Sequence, residues 1–255
     1  MARAPVGGGT PQKLSQGPSA APGPGALALG GGFVFWTNQA GYVAKAPIGG
    51  GPATIIANDQ GAIVATSNGY VYWSGWATSE LNGATIKRQA FGGGTIQVLA
   101  SNAGIAAGSF AVDSQNVYWG GIDDSIYQVP IAGGPVQNPL YGQPNIDGLA
   151  VSSTNIYWTT SVTGKPTNGG VSVAPIGGNP SMPGGAPIAN GQLSPSAIAV
   201  DGTNLYWGCQ NGLMSMPIAG GTPMMLATDD VNSVALDTTR VYWTTASGDV
   251  LSMGK

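Results

Sequence analysis

Six aromatic–tryptophan pairs in fixed register, abundant glycine and proline without a collagen period, and two chain ends that complete one another predict an all-β fold. The expected architecture is a six-bladed β-propeller of four-stranded antiparallel blades. The N-terminal strand is expected to close the ring by pairing with the C-terminal blade.

The pairs are Phe35-Trp36, Tyr72-Trp73, Tyr118-Trp119, Tyr157-Trp158, Tyr206-Trp207 and Tyr242-Trp243. Seven residues before each first aromatic stands an alanine: Ala28, Ala65, Ala111, Ala150, Ala199 and Ala235. Five before it stands a turn-former: Gly30, Ser67, Asp113, Ser152, Asp201 or Asp237. One before it the side chain is β-branched or Leu, from Val34 to Val241. Self-similarity of this kind, with four short strands in a unit of ~40 residues, is the signature of a propeller blade. In the fifth unit the strands read as Ser196–Asp201, Asn204–Gly208, Leu213–Pro217 and Pro223–Ala227. They are joined by Gly, Asn and Asp turns that suit hairpins. Downstream of Trp, turns of the type Pro47-Ile48-Gly49-Gly50, Pro130-Ile131-Ala132-Gly133 and Pro217-Ile218-Ala219-Gly220 separate the third strand from the fourth. Tyr and Trp of one strand point to opposite faces. Burial on both faces is therefore the favoured role of the pairs, ahead of ligand stacking.

Composition agrees. The chain has 255 residues, 43 Gly and 19 Pro, and 42% of it is apolar, enough for a core. One domain over 1–255 is expected, with blades at about 24–58, 61–101, 105–141, 146–190, 195–228 and 231–255 plus 1–18. The last repeat stops at Val250-Leu251-Ser252-Met253-Gly254-Lys255, and Arg3–Leu14 resembles the piece it lacks, by comparison with Ser215–Pro223. Pairing of Ala4–Leu14 beside Val250–Met253 would satisfy an exposed edge. Residues 1–5 and 250–254 match the same stretch of the third strand. A redundant strand of this kind suits exchange between copies, so a strand-swapped oligomer is the alternative to the expected monomer.

Eight basic residues against 11 acidic ones give no basic face for nucleic acid. No apolar run is long enough to span a bilayer. The opening Met1-Ala2-Arg3-Ala4-Pro5 has no apolar h-region, so this stretch reads as a mature or engineered chain without a signal peptide. Histidine is absent, which removes the usual imidazole base and zinc ligand. Cys209 is alone and reads as a small packing residue. No metal, no cofactor and no enzymatic activity are expected. Asp113, Asp201 and Asp237 read as turn caps. Asp123-Asp124 and Asp229-Asp230 read as turn acids, because a Ca²⁺ site wants more oxygens than these loops offer.

The Ala-Val-Asp-x-x-Asn-(Val/Leu)-Tyr-Trp pattern, at Ala111–Trp119 and Ala199–Trp207, resembles the YWTD family of six-bladed propellers. Its bacterial subgroup with Pro-Ile-x-Gly-Gly turns is the nearest in flavour. The resemblance covers essentially the whole chain. It implies the fold, an extracytoplasmic bacterial setting and no particular activity. The family's Asp two residues past Trp is replaced by Asn38, Gly75, Gly121, Thr160, Cys209 and Thr245. Related propeller enzymes use His, Glu and Asp around a channel metal, and this chain has no counterpart.

Function is then expected on loops. From Trp to the Pro-Ile-like turn, blades two and four are about six residues longer than the others. The blade-two extension Ser74–Asn82 contains Trp76, Glu80 and Asn82; Trp76 is the one Trp outside the repeat and Glu80 the chain's one Glu. Blade four offers Thr159–Asn168 with Lys165, and between them blade three offers Asp123 and Asp124. These six residues form the candidate patch for a protein or glycan ligand, with Trp76 as its anchor. A Trp76 folded back over the blade edge is the competing reading. A non-enzymatic binding or scaffolding propeller is the leading expectation, followed by a self-assembling structural protein and then a channel-site enzyme.

Overall fold

The computed structural model describes residues 2–3, 12–13, 24–38, 41–76, 83–101, 103–143, 145–162, 164–178 and 185–255. β1 (Ala2–Arg3) and β2 (Gln12–Lys13) pair antiparallel as a short ladder of their own. Blade one is β3 (Pro24–Gly30), β4 (Phe33–Asn38), β5 (Tyr42–Pro47) and β6 (Thr54–Ala57). Blade two is β7 (Gln60–Ser67), β8 (Tyr70–Trp76), β9 (Ala84–Ala90) and β10 (Gln97–Ala100). Blade three is β11 (Ile105–Val112), β12 (Asn116–Gly121), β13 (Ser125–Pro130) and β14 (Gln137–Tyr141). Blade four is β15 (Ile146–Val151), β16 (Asn155–Thr160), β17 (Gly169–Pro175) and β18 (Ala186–Gln192). Blade five is β19 (Ile198–Val200), β20 (Asn204–Cys209), β21 (Gly212–Pro217) and β22 (Met224–Ala227). Blade six has three strands among the described residues, β23 (Val231–Leu236), β24 (Arg240–Thr245) and β25 (Val250–Gly254).

Each blade is a meander in which neighbours in sequence are neighbours in the sheet. The predicted closing strand, Ala4–Leu14, lies outside the described residues apart from Gln12 and Lys13, whose partners are Arg3 and Ala2. Contacts group into two compact units. One is Met1–Ile105 with Pro130–Gly134, and the other is Ala106–Val129 with Pro135–Lys255.

The aromatic pairs are core. In the first five blades both members are at most 3% exposed. In the sixth, Trp243 is buried and Tyr242 only partly so. The pairs are layered. Phe35 of blade one shares a buried cluster with Trp73 of blade two. Within the second unit, Tyr118 packs in the cluster of Trp158, Tyr157 in that of Trp207, and Tyr206 in that of Trp243. Alternation along the second strand explains this: one ring faces the preceding blade and the other the following one.

The predicted turn caps are present with their geometry. Asp113 Oδ1 accepts from the N–H groups of Gln115 and Asn116, each at 2.7 Å. Asp237 Oδ1 accepts from Thr239 and Arg240 at the same distance, and Ser152 Oγ from Thr154 and Asn155. The second carboxylate oxygen takes the tyrosine of the repeat: Tyr118 donates to Asp113 at 2.8 Å and Tyr242 to Asp237 at 2.6 Å. One turn thus holds the tyrosine of the blade's second strand.

Blade five substitutes a cation for that tyrosine. Lys255 Nζ lies 2.8 Å from Asp201 Oδ2. Burial opposes ionisation of Asp201, yet Lys255 and the N–H groups of Thr203 and Asn204 outweigh it and hold the carboxyl well below its ordinary range. The folded value lies below the unfolded one of about 3.9. Its contribution is therefore full above that pH and is lost as pH falls through the depressed folded value. Asp201→Asn should lower the thermal midpoint at neutral pH, with the gap to wild type narrowing below about pH 4. A gap of constant size down to pH 2 would contradict the linkage.

Candidate functional site

Two of the extended connections resolve differently. In blade two, Ser74, Gly75 and Trp76 belong to the second strand and pair with the third, so the connection does not begin at Ser74. β8 and β9 are seven residues each, and Trp76 ends β8 opposite Gln60 and Ala84. Glu80 and Asn82 lie outside the described residues. In blade four, β16 ends at Thr160 and a 3-10 turn, Pro166–Asn168, leads into β17.

Asp123, Asp124 and Lys165 sit in the second unit and are exposed. Asp123 accepts the hydroxyl of Tyr127 at 2.5 Å, and that ring stacks on Trp119 at 5.6 Å between centroids. Asp124 occupies a left-handed turn position, φ 61°, and its carbonyl accepts from Gln143 N at 2.6 Å. These are turn roles. Lys165 stands immediately before the 3-10 turn, and its N–H donates to the carbonyl of Val162. No group of three or more Cys, Asp or Glu gathers with metal-binding spacing among the described residues.

Several acceptors missed in the sequence anchor tryptophan. Trp73 Nε1 donates to Asp59 Oδ2 at 2.9 Å, and Lys87 Nζ lies 2.7 Å from the other oxygen of that carboxylate. Trp243 Nε1 donates to Asp229 Oδ2 at 3.1 Å, and Trp207 Nε1 to Gln192 Oε1 at 3.0 Å. Asp229, read from sequence as a solvated turn acid, therefore holds an indole of the core. The signal was present: an acid stands 14 residues before Trp in both blades two and six. Cys209 is buried as expected, and burial pushes its thiol up to about 11.

The cavity with chemical character lies on blade four and its junction with blade five. It measures about 320 Å³ and is lined by Asp147, Ser161, Val162, Gly164, Pro166 and the run Ser194–Ser196. Asp147 follows the first residue of β15; Ser161–Pro166 belong to the extended connection; the Ser194–Ser196 run connects to β19. The walls are fixed by backbone bonds. Ser194 N donates to Pro166 O at 2.8 Å and Ser196 N to Gly208 O at 2.8 Å. Ser196 Oγ donates to Val231 O at 2.9 Å, and Thr159 Oγ1 donates to Ser196 O. Asn145, at φ 51°, donates from its amide to Ser161 O.

Burial raises the Asp147 carboxyl above its ordinary pKa, against the pull of hydrogen bonds from Ser161. Its Oδ2 is shut off from solvent and has no hydrogen-bond partner among the described residues. The register carries a legible clue. Three residues before the repeat alanine stand Gly25, Ala62, Gly108, Asp147, Ser196 and Asn232, and Asp147 is the one acid.

No family model matches the chain, and no curated protein sequence does. Solved structures match over almost its full length. The computationally designed Ika8 protein gives a TM-score of 0.68 at 17% identity, over 96% of this chain and 74% of its own. The PQQ-bound form of aldose sugar dehydrogenase from Streptomyces coelicolor gives 0.62 at 15%, over 95% and 96%. The fold is a six-bladed β-propeller. YCF48 bound to D1 peptide gives 0.62 at 10% identity, over 91% and 77%. At these identities the likeness is one of fold.

Proposed function

We propose that the chain is a non-enzymatic binding or scaffolding propeller, with candidate recognition residues on the long connections of blades two, three and four. The observation that carries this reading is the division of labour among side chains. Core packing takes up the repeat aromatics, whereas the extended blade-four connection helps wall a cavity around a half-buried carboxyl. A chain without histidine offers no imidazole base, which also favours binding over catalysis. Among similar folds, YCF48 is a propeller-like neighbour with a bound peptide. The ligand class is a protein or glycan. Kinship with YWTD-like bacterial propellers and an extracytoplasmic setting belong to the same proposal and rest on the repeat motif.

The test is an array of glycans and peptides probed with wild type and Trp76→Ala. The expected result is a ligand whose binding the substitution weakens by about tenfold or more, the size of a hot-spot loss. A ligand bound equally by both proteins removes Trp76 from the site.

Strand-swapped self-assembly is the second reading. β25 is the outermost strand of its sheet among the described residues, and Val250 is 74% exposed on it. Such an edge invites pairing. Mass measured in solution across a hundredfold range of concentration should give a ladder of multiples if chains exchange strands. A constant monomer mass excludes the exchange.

A further inference from the structure

We infer that the pocket around Asp147 binds a primary alkylammonium, either a free amine or a lysine side chain presented by a partner protein. The lining has two chemistries, and together they match one ligand. Asp147 is the one ionisable residue among the lining residues, so no cation of the lining balances its charge. A half-buried carboxylate without a counter-charge is unfavourable, and a cationic hydrogen-bond donor relieves that. Ser161 and Ser194 add hydroxyl oxygens to the same wall. An ammonium has three donors to place and no acceptor, which suits a carboxyl flanked by hydroxyls.

Val162, Pro166 and Pro195 supply the second chemistry. They present aliphatic surface on which a methylene stem packs while its charged head reaches the carboxyl. None of the lining residues is aromatic. That disfavours a sugar stacked on a ring and a quaternary ammonium in an aromatic cage. The backbone bonds of Pro166, Ser194 and Ser196 hold the walls in place, so little ordering is required on binding. The direction of the shift at Asp147 agrees: burial raises its carboxyl, and only the hydrogen bonds from Ser161, not a cation, oppose that.

The site includes no residue of the blade-two extension, so it stands or falls independently of Trp76. The experiment titrates Nα-acetyl-lysine methylamide into the full ¹⁵N-labelled chain at neutral pH and follows the amide resonances of Ser161 and Ser194. The Nε-acetylated probe, n-butylammonium and glucose are run alongside, and the lysine probe is repeated on Asp147→Asn. Saturable shifts are expected from the lysine probe and from butylammonium. Binding should weaken by about tenfold or more on Nε-acetylation or in Asp147→Asn, the scale of a lost charge-assisted contact. Absence of shifts with the lysine probe overturns the inference. So does equal binding of the Nε-acetylated probe, equal binding by Asp147→Asn, or shifts from glucose alone. If Asp147→Asn does not fold, comparison of the charged and acetylated probes on wild type decides the matter. A lysine-bearing tripeptide that binds more tightly than butylammonium assigns the pocket to a protein partner. Equal affinities assign it to a free amine.

Discussion

Trp207→Ala is expected to lower the thermal midpoint by about 10 °C, from a loss of ~3–5 kcal/mol typical of an aromatic core truncation. Trp207 is fully buried, in one cluster with Tyr157 of the preceding blade, Leu205 and Met216. Its loss does more than open a cavity. The indole N–H is the donor to Gln192 Oε1, so the truncation also removes a hydrogen bond from a part-buried amide. Trp207→Phe separates the two effects, because it keeps most of the packing and removes the donor. Its midpoint should fall between those of wild type and Trp207→Ala. A Trp207→Ala protein that melts within a degree or two of wild type would make the aromatic pairs candidate ligand platforms again.

Gly148→Ala is expected to cost about 2–3 kcal/mol, the upper part of the range for adding a methyl to a filled interior. A Cβ at this position would come 2.5 Å from the backbone oxygen of Ser196 and 3.0 Å from Thr159 Oγ1. The first of these is main chain, held by a bond from Thr159 Oγ1, and it has no rotamer by which to retreat. The strain therefore spreads into the junction between blades four and five. A melting scan measures the loss, and the Ser161 and Ser194 amide resonances report whether the pocket beside Asp147 shifts with it. By contrast, Gly202→Ala, where an added methyl meets nothing within 4 Å, should leave the midpoint nearly unchanged. If both alanines melt alike, the close approach at Gly148 is not real.

Much of the fold was legible because a propeller repeats its physics. The strands expected in blade five, Asn204–Gly208 and Leu213–Pro217, differ from β20 and β21 by one residue at an end. The Asp caps were legible because a carboxylate two or three residues before an N–H has a single common use in a turn. The site was less legible for two reasons. Counting residues between Trp and the next turn detects an insertion but does not say which of its residues continue a strand, as Trp76 does, and which line a loop, as Ser161 and Pro166 do. The pocket itself joins Asp147 to residues up to 49 positions away, mostly Ser, Pro and Gly, whose chemistry is silent in isolation. The acid at a register otherwise held by small or neutral residues was the available clue.

The shared aromatic layers also say how such a chain can grow or shrink. Within the second unit, each interface between successive blades is filled by a tyrosine from one repeat and a tryptophan from the next. The inherited unit of stability is thus the junction, not the blade. Deleting blade five would leave Tyr157 without Trp207 and Trp243 without Tyr206, but the cut ends would present the same two half-surfaces to one another. Repeats can be gained or lost in whole numbers because every seam is cut to the same pattern, as in arrays governed by nearest-neighbour terms.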